Sequence, residues 1–218
     1  MWPLSSSVSA HFNHWPHMSD LLKLLQQLLQ GNSAPSVAGS APAPVATKPQ
    51  TQVFLERFGI TSFYHFTDTR NLPSIRQMGG LLPWADVKGR VTAPGGNDWS
   101  HEADAIKGQD KYVHLCFFPE HPMEFIARRD GRIAQSCFLR IDPSVIHRPG
   151  VLFCPDVGNK SGVPMLGLDE ATAEMDFEIV APGHKQWLEP PLFERKKRAC
   201  KYELLVPGMI PLSLISGI

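Results

Sequence analysis

Apolar and polar positions change character near residue 53. Ahead of it, Leu21, Leu22, Leu24, Leu25, Leu28 and Leu29 follow helical spacing and leave Lys23, Gln26 and Gln27 on the other side. Ser19 is placed to cap this helix, Asp20 suits its positive end, and Gly31 suits its exit. A helix of about 12 residues is marginal alone in water. Leu21–Leu29 is therefore expected to dock on the rest of the chain, on a second copy or on a partner. Residues 31–52 carry no periodicity. Ala, Pro, Ser and Gly fill 14 of the 22 positions, and Lys48 is the only charge, which predicts a linker.

Residues 53–218 show short alternating and helical patterns, as in one domain of 166 residues. Phe63–Thr67 alternates as a first strand. Asn71–Gly80 predicts a short helix, with Pro73 in its first turn and glycine at its exit. Residues 83–110 read as a long loop with room for a short helix. Tyr112–Phe118, Ser136–Ile141 and Val151–Cys154 predict strands, and Pro122–Arg128 and Leu168–Met175 predict helices. Phe177–Val180, Tyr202–Val206 and Leu212–Ile215 are expected as late strands. The expected class is α+β. In Tyr202–Val206, alternation puts Glu203 with Leu205, opposite Tyr202 and Leu204.

Composition narrows the function classes. Lys+Arg and Asp+Glu both number 21, which argues against a wholly basic nucleic-acid coat. The four cysteines are scattered without a Cys-x-x-Cys pair, so reduced thiols in a cytoplasmic protein are expected, and neither a disulfide framework nor a metal site. The first residues lack a signal-peptide pattern, and no apolar run is long enough to span a membrane. The dinucleotide and triphosphate glycine motifs are absent. His11, His14 and His17 surround Pro16 without a carboxylate or cysteine and read as a polar segment. His114 and His121 flank a strand and a turn and read as hydrogen-bonded core histidines. His65-Phe66-Thr67 matches half of a two-histidine phosphodiesterase, but no second copy exists.

Three segments remain: Tyr64-His65-Phe66-Thr67-Asp68 through Gly80-Leu81-Leu82; Asp110–Phe117 with His121-Pro122-Met123; and Lys201–Pro207 with Ile210-Pro211. In this order and separation they resemble the DarT family, bacterial toxins that ADP-ribosylate bases of single-stranded DNA. The resemblance covers residues 60–218. It implies an ADP-ribosyltransferase fold of two packed, mainly antiparallel sheets with short helices and an NAD cleft. It implies NAD as co-substrate, no metal, and an antitoxin partner of the macrodomain type.

The resemblance also implies site residues. Glu203 matches the catalytic glutamate, with Glu178 as a similar strand glutamate that the residues alone leave in competition. His65, Thr67 and Asn71 are expected at the NAD, and Tyr112 is placed to stack on nicotinamide. The family arginine falls on Arg90, the one arginine between residues 77 and 127. Ser100–Asp104 stands where related sequences carry an arginine, so His101 is an alternative. Before Glu203, the loop 181–201 carries Arg195, Lys196, Lys197, Arg198 and Lys201, with Trp187 and Phe193 upstream. Cations on phosphates and aromatics on unpaired bases suit single-stranded DNA. RNA or protein as substrate, or an inactive nucleic-acid-binding module, stay open at this point.

Overall fold

The computed structural model describes Lys23, residues 48–181 and residues 189–218. The chain divides into two units, Met1–Ala46 and Thr47–Ile218. Of the first, Lys23 alone is described, exposed and helical. The rest of the expected Leu21–Leu29 helix, linker residues 31–47 and Trp187 lie outside the described residues.

The second unit opens with α1 (Gln50–Arg57). Its first three residues are positions assigned to the linker from composition. Pro49 precedes the first turn, Phe54 and Leu55 are buried, and Lys48 pairs with Glu56 at 2.8 Å. Burial of that apolar pair holds a turn whose own residues carry no apolar signal. There follow β1 (Phe63–Asp68), α2 (Leu72–Gln77), β2 (Gly80–Leu81), α3 (Trp84–Val87), α4 (Asp98–Lys107), β3 (Tyr112–Cys116), α5 (Pro122–Arg129) and β4 (Ser136–Ile141). Then come β5 (Leu152–Cys154), α6 (Leu168–Glu174), α7 (Pro190–Ala199), β6 (Glu203–Pro207), β7 (Ile210–Pro211) and β8 (Ile215–Ser216). The class is α+β, as the short mixed periodicities require.

Six strands form an antiparallel sheet in the order β5-β6-β3-β1-β4-β8, and β2 pairs with β7 separately. Strands β1 and β4 are in register along their whole length, from Phe63 opposite Ile141 to Asp68 opposite Ser136. Strands β3 and β6 are equally continuous, with Cys116 opposite Glu203. Between β1 and β3 the register holds at one position, Tyr64 opposite Cys116. The sheet is therefore two three-stranded halves joined at one point, and it opens beyond it. The β2–β7 pair needs glycine at position 80, because a Cβ there would lie 2.1 Å from the Ile210 carbonyl oxygen.

The core is aromatic on one side of this sheet. Phe54 meets Phe177 edge-on at 4.8 Å and Phe153 at 5.7 Å, and Phe63 meets Phe117 at 5.3 Å. Such edge-to-face pairs add to the area they bury.

Three expectations from the pattern are corrected. Phe177–Ile179 is a 3-10 turn, not a strand. Phe177 and Ile179 are buried as a strand's alternation would bury them, but the Asp176 N–H donates to the Tyr202 hydroxyl at 3.1 Å and the chain turns back. Leu212–Leu214 is also 3-10, and only Ile215–Ser216 joins the sheet. Residues 190–199 of the expected basic loop are a helix, opened by Pro190 and Pro191.

Candidate active site

A cavity of about 230 Å³ lies where the sheet opens. Its walls are His65, Phe66 and Thr67 of β1, Tyr112, Val113 and His114 of β3, and Glu203 of β6. Ser100, His101 and Asp104 close it from α4. That helix is set by Asn97, whose Oδ1 accepts from the Ser100 N–H at 2.8 Å, and by Gly108 in the left-handed region at its end.

Glu203 stands at the start of β6 between Cys116 of β3 and Cys154 of β5, and is 6% exposed. A buried carboxylate needs partners. Oε2 lies 3.0 Å from His114 Nδ1 and accepts the Gly158 N–H at 3.2 Å. Oε1 lies 3.6 Å from His121 Nε2. Burial works against the charge, but His114, His121 and the Gly158 N–H outweigh it, and the carboxyl is held below its ordinary range. Gly158 also packs tightly here, since a Cβ on it would lie 2.8 Å from Oε2. Glu178 is exposed and pairs with Arg57 at 3.6 Å, away from the cavity walls. Of the two glutamates, Glu203 lines the cavity and Glu178 does not.

The histidines divide by hydrogen bonding. His65 Nδ1 lies 3.0 Å from the His114 carbonyl oxygen, which can only accept, so the Nδ1–H donates and Nε2 is a bare acceptor. His121 Nδ1 accepts the Met123 N–H at 3.3 Å, which leaves its proton on Nε2. Burial lowers the pKa of both rings and keeps them neutral. His101 lies flat on Trp84, 3.6 Å between ring centres, and burial lowers its pKa also. Burial raises the Asp104 pKa. His101 Nε2, Asp104 Oδ1 and His121 Nε2 are buried without a partner at hydrogen-bond geometry among the described residues, although the Gly96 backbone lies beside His101 and the Lys201 backbone beside His121. Unmet polar atoms cost about 1–3 kcal/mol each, and a ligand carrying hydroxyl and amide groups removes that cost. The ribose and carboxamide groups of NAD are of this kind.

The residues expected from sequence are brought together only in part. Glu203, His65, Thr67, Asn71 and Tyr112 all line the cavity. Asn71 is engaged within the protein: its Nδ2 donates to Thr67 Oγ1 and to the Ala93 carbonyl, and its Oδ1 accepts the Ala93 N–H. It pins residues 91–96 to the end of β1. Arg90 is exposed outside the cavity, its Nη1 3.4 Å from the Asp86 carbonyl oxygen. No lysine or arginine lines the cavity among the described residues. The basic run is largely paired with acids. Arg195 grips Asp176 with two bonds, at 2.6 and 2.8 Å. Lys196 pairs with Glu120, Lys197 lies 3.8 Å from Glu194, and Lys201 lies 3.8 Å from Asp156. Sequence reasoning took His114 and His121 for core residues. Both lie in the second of the three ordered segments, His114 in the middle of β3 and His121 at the head of His121-Pro122-Met123.

An ionised, buried glutamate in an open antiparallel sheet is the kind of cleft that an NAD-dependent mono-ADP-ribosyltransferase requires, and the match to a family model gives that class. The family model for "ssDNA thymidine ADP-ribosyltransferase, DarT" matches residues 64–218, and the chain belongs to this family. Among solved structures, Thermus sp. 2.9 DarT in complex with NAD+ is similar at a TM-score of 0.50 and 24% identity, over 72% of this chain and 79% of that one. The same protein in complex with ADP-ribosylated ssDNA gives 0.47 and 22%, over 72% and 79%. Thermosipho africanus DarTG in complex with ADP-ribose gives 0.50 and 17%, over 72% of this chain and 43% of that one. No curated protein matches the chain. Among the described residues, no helix is long and apolar enough to cross a membrane, and no group of side chains has the makings of a metal site.

Proposed function

We propose that this chain transfers ADP-ribose from NAD to a thymine base of single-stranded DNA, with Glu203 as the catalytic carboxylate. The observation that carries this reading is a glutamate buried and yet held ionised in the cleft wall. NAD supplies the ADP-ribosyl group: its nicotinamide–ribose bond breaks, nicotinamide leaves with the electron pair, and a thymine ring nitrogen bonds the ribose carbon and releases its proton. Positive charge grows on the sugar as the bond breaks. A preoriented carboxylate stabilises that charge more than it stabilises the ground state. Glu203 Oε1, whose one polar contact among the described residues is His121 at 3.6 Å, is the oxygen placed to accept a ribose hydroxyl. His65 Nε2 offers a second acceptor, and His121 Nε2–H a donor. Tyr112 and Thr67 complete the NAD wall.

On the DNA side, α7 presents exposed Phe193, Lys197 and Arg198 to the strand. Arg195, Lys196 and Lys201 brace the helix through their acidic partners. Such a modification blocks templating. We read the protein as a cytoplasmic toxin whose antitoxin is a hydrolase of the macrodomain type.

Incubation of the full chain with NAD and oligonucleotides of defined base composition tests the reading by mass spectrometry. One ADP-ribose is expected on thymine-containing strands, with a loss of at least about 100-fold in Glu203→Gln. Modification of strands without thymine, or of RNA or protein alone, would overturn it.

A further inference from the structure

Glu203 is an anion in a cleft that no lysine or arginine lines among the described residues. Its counter-charge is a histidine. Both ring nitrogens of His114 face acceptors: Nδ1 meets Glu203 Oε2 at 3.0 Å, and Nε2 meets the Gln109 carbonyl oxygen at 3.3 Å. The carbonyl cannot donate, and the ionised carboxylate has no proton to give. An imidazole with an acceptor at each nitrogen keeps both bonds only as imidazolium. The other two histidines of this wall cannot take the role. His121 Nδ1 already accepts a backbone N–H, and His65 spends its one proton on the His114 carbonyl oxygen.

We propose that His114 is a positioning residue whose imidazolium, with the Gly158 N–H, fixes Glu203 by Oε2 and leaves Oε1 to engage the ribose. The proposal rests on Glu203 being the catalytic carboxylate. Loss of the His114 proton breaks one of its two hydrogen bonds and removes the charge that orients the Glu203 carboxylate. Transfer then falls on the alkaline side.

The groups around this pair are Asp104 and Lys107 from α4, Asp110 from the turn before β3, His65 from β1, His121 ahead of α5, Cys116 on β3 and Cys154 on β5. Burial works against a charged His114, but the bond to Glu203 and the attraction of Glu203 and Asp104 prevail and push it up to about 9. Burial pushes the Cys154 thiol up to about 12, and Cys116 is raised as well, so neither thiol titrates in the same range. The two neutral histidines titrate below it.

Single-turnover transfer by the full chain, from about pH 6 to about pH 10, tests this in wild type, His114→Gln and Glu203→Gln. Histidine ring nitrogens are followed by NMR in parallel. The wild-type rate is expected to fall with a midpoint near 9. His114→Gln is expected to slow transfer about 10- to 100-fold, with little change in KM for NAD, and to abolish the alkaline fall. Both nitrogens of His114 are expected to carry protons at neutral pH, and Glu203→Gln to lower the pH at which one is lost. A neutral His114 ring at neutral pH, or His114→Gln with the wild-type rate and limb, would overturn the proposal. Full transfer in Glu203→Gln would instead remove the reading of Glu203 itself. Should His114→Gln fail to fold, the ring titrations of wild type and Glu203→Gln decide.

Discussion

Asp68 shows how much a single side chain carries outside the catalytic wall. It ends β1 with no exposed surface. Its carboxylate accepts from Arg70 Nε and Nη2 and from the backbone N–H groups of Arg70, Ala134 and Gln135. The Arg70 guanidinium, followed by these backbone donors, holds its carboxyl far below the ordinary range despite burial. Asp68→Ala is expected to destabilise the protein by about 3 kcal/mol in denaturant unfolding, because it strands the donors that converge on it. The pH dependence follows from the depressed value. Asp68 contributes fully above the ordinary carboxylate pKa and loses that contribution as pH falls toward the folded-state value. Thermal unfolding at falling pH should therefore bring wild type toward the variant. Of the cleft residues, Glu203 was legible because a charge inside an apolar strand asks for a reason, and His65 through the resemblance of its segment to the family. That His114 stands against Glu203 was not legible. Its charge state depends on Glu203 from β6 and a carbonyl from the turn before β3, and no local pattern encodes either.

At the scale of elements, α4 and the turn after β5 were the least visible in sequence. Residues 97–108 lack an apolar stripe, because the inward face of α4 is polar: Ser100, His101 and Asp104 face the cleft and not the core. Hydrophobic periodicity cannot report a helix that packs this way. Its last residue, Lys107, donates to the carbonyl oxygens of Gly158 and Lys160 and so clamps the turn that touches Glu203. Gly158→Ala would place a methyl group 2.8 Å from Glu203 Oε2. Transfer is expected to fall about 10- to 100-fold as the carboxylate is displaced, with the melting temperature little changed. Steady-state kinetics alongside a thermal melt checks this, and unchanged transfer would show that the turn yields. Phe177–Ile179 gives the opposite lesson: buried alternation was legible, but a turn buries alternate residues as a strand does.

For the whole molecule, the chain divides into Met1–Ala46 and Thr47–Ile218, and every described residue of the cleft wall belongs to the second unit. A chain of residues 47–218 is expected to keep the ADP-ribose transfer rate within about three-fold of the full chain. A larger loss in the oligonucleotide assay would assign part of the site to the first 46 residues. Starting instead at residue 53 would cut the first turn of α1 and uncover Phe54, so that shorter chain is expected to be less stable in the same melt. The basic run at 195–201 is also balanced at this scale: Arg195, Lys196, Lys197 and Lys201 stand beside Asp176, Glu120, Glu194 and Asp156.

By itself the sequence determined the α+β class, most strands of the sheet, the family through three ordered segments, and two residues of the cleft wall, Glu203 and His65. Alternation, capping and composition act over a few residues, so a linear reading reaches them. Tertiary structure alone decided that Glu178 lies outside the cleft, that Arg90 does not reach it, that α4 supplies a polar wall, and that a histidine stands against Glu203. Those outcomes depend on which distant groups meet in a low-dielectric cleft, where a donor or acceptor from another strand decides which proton is held.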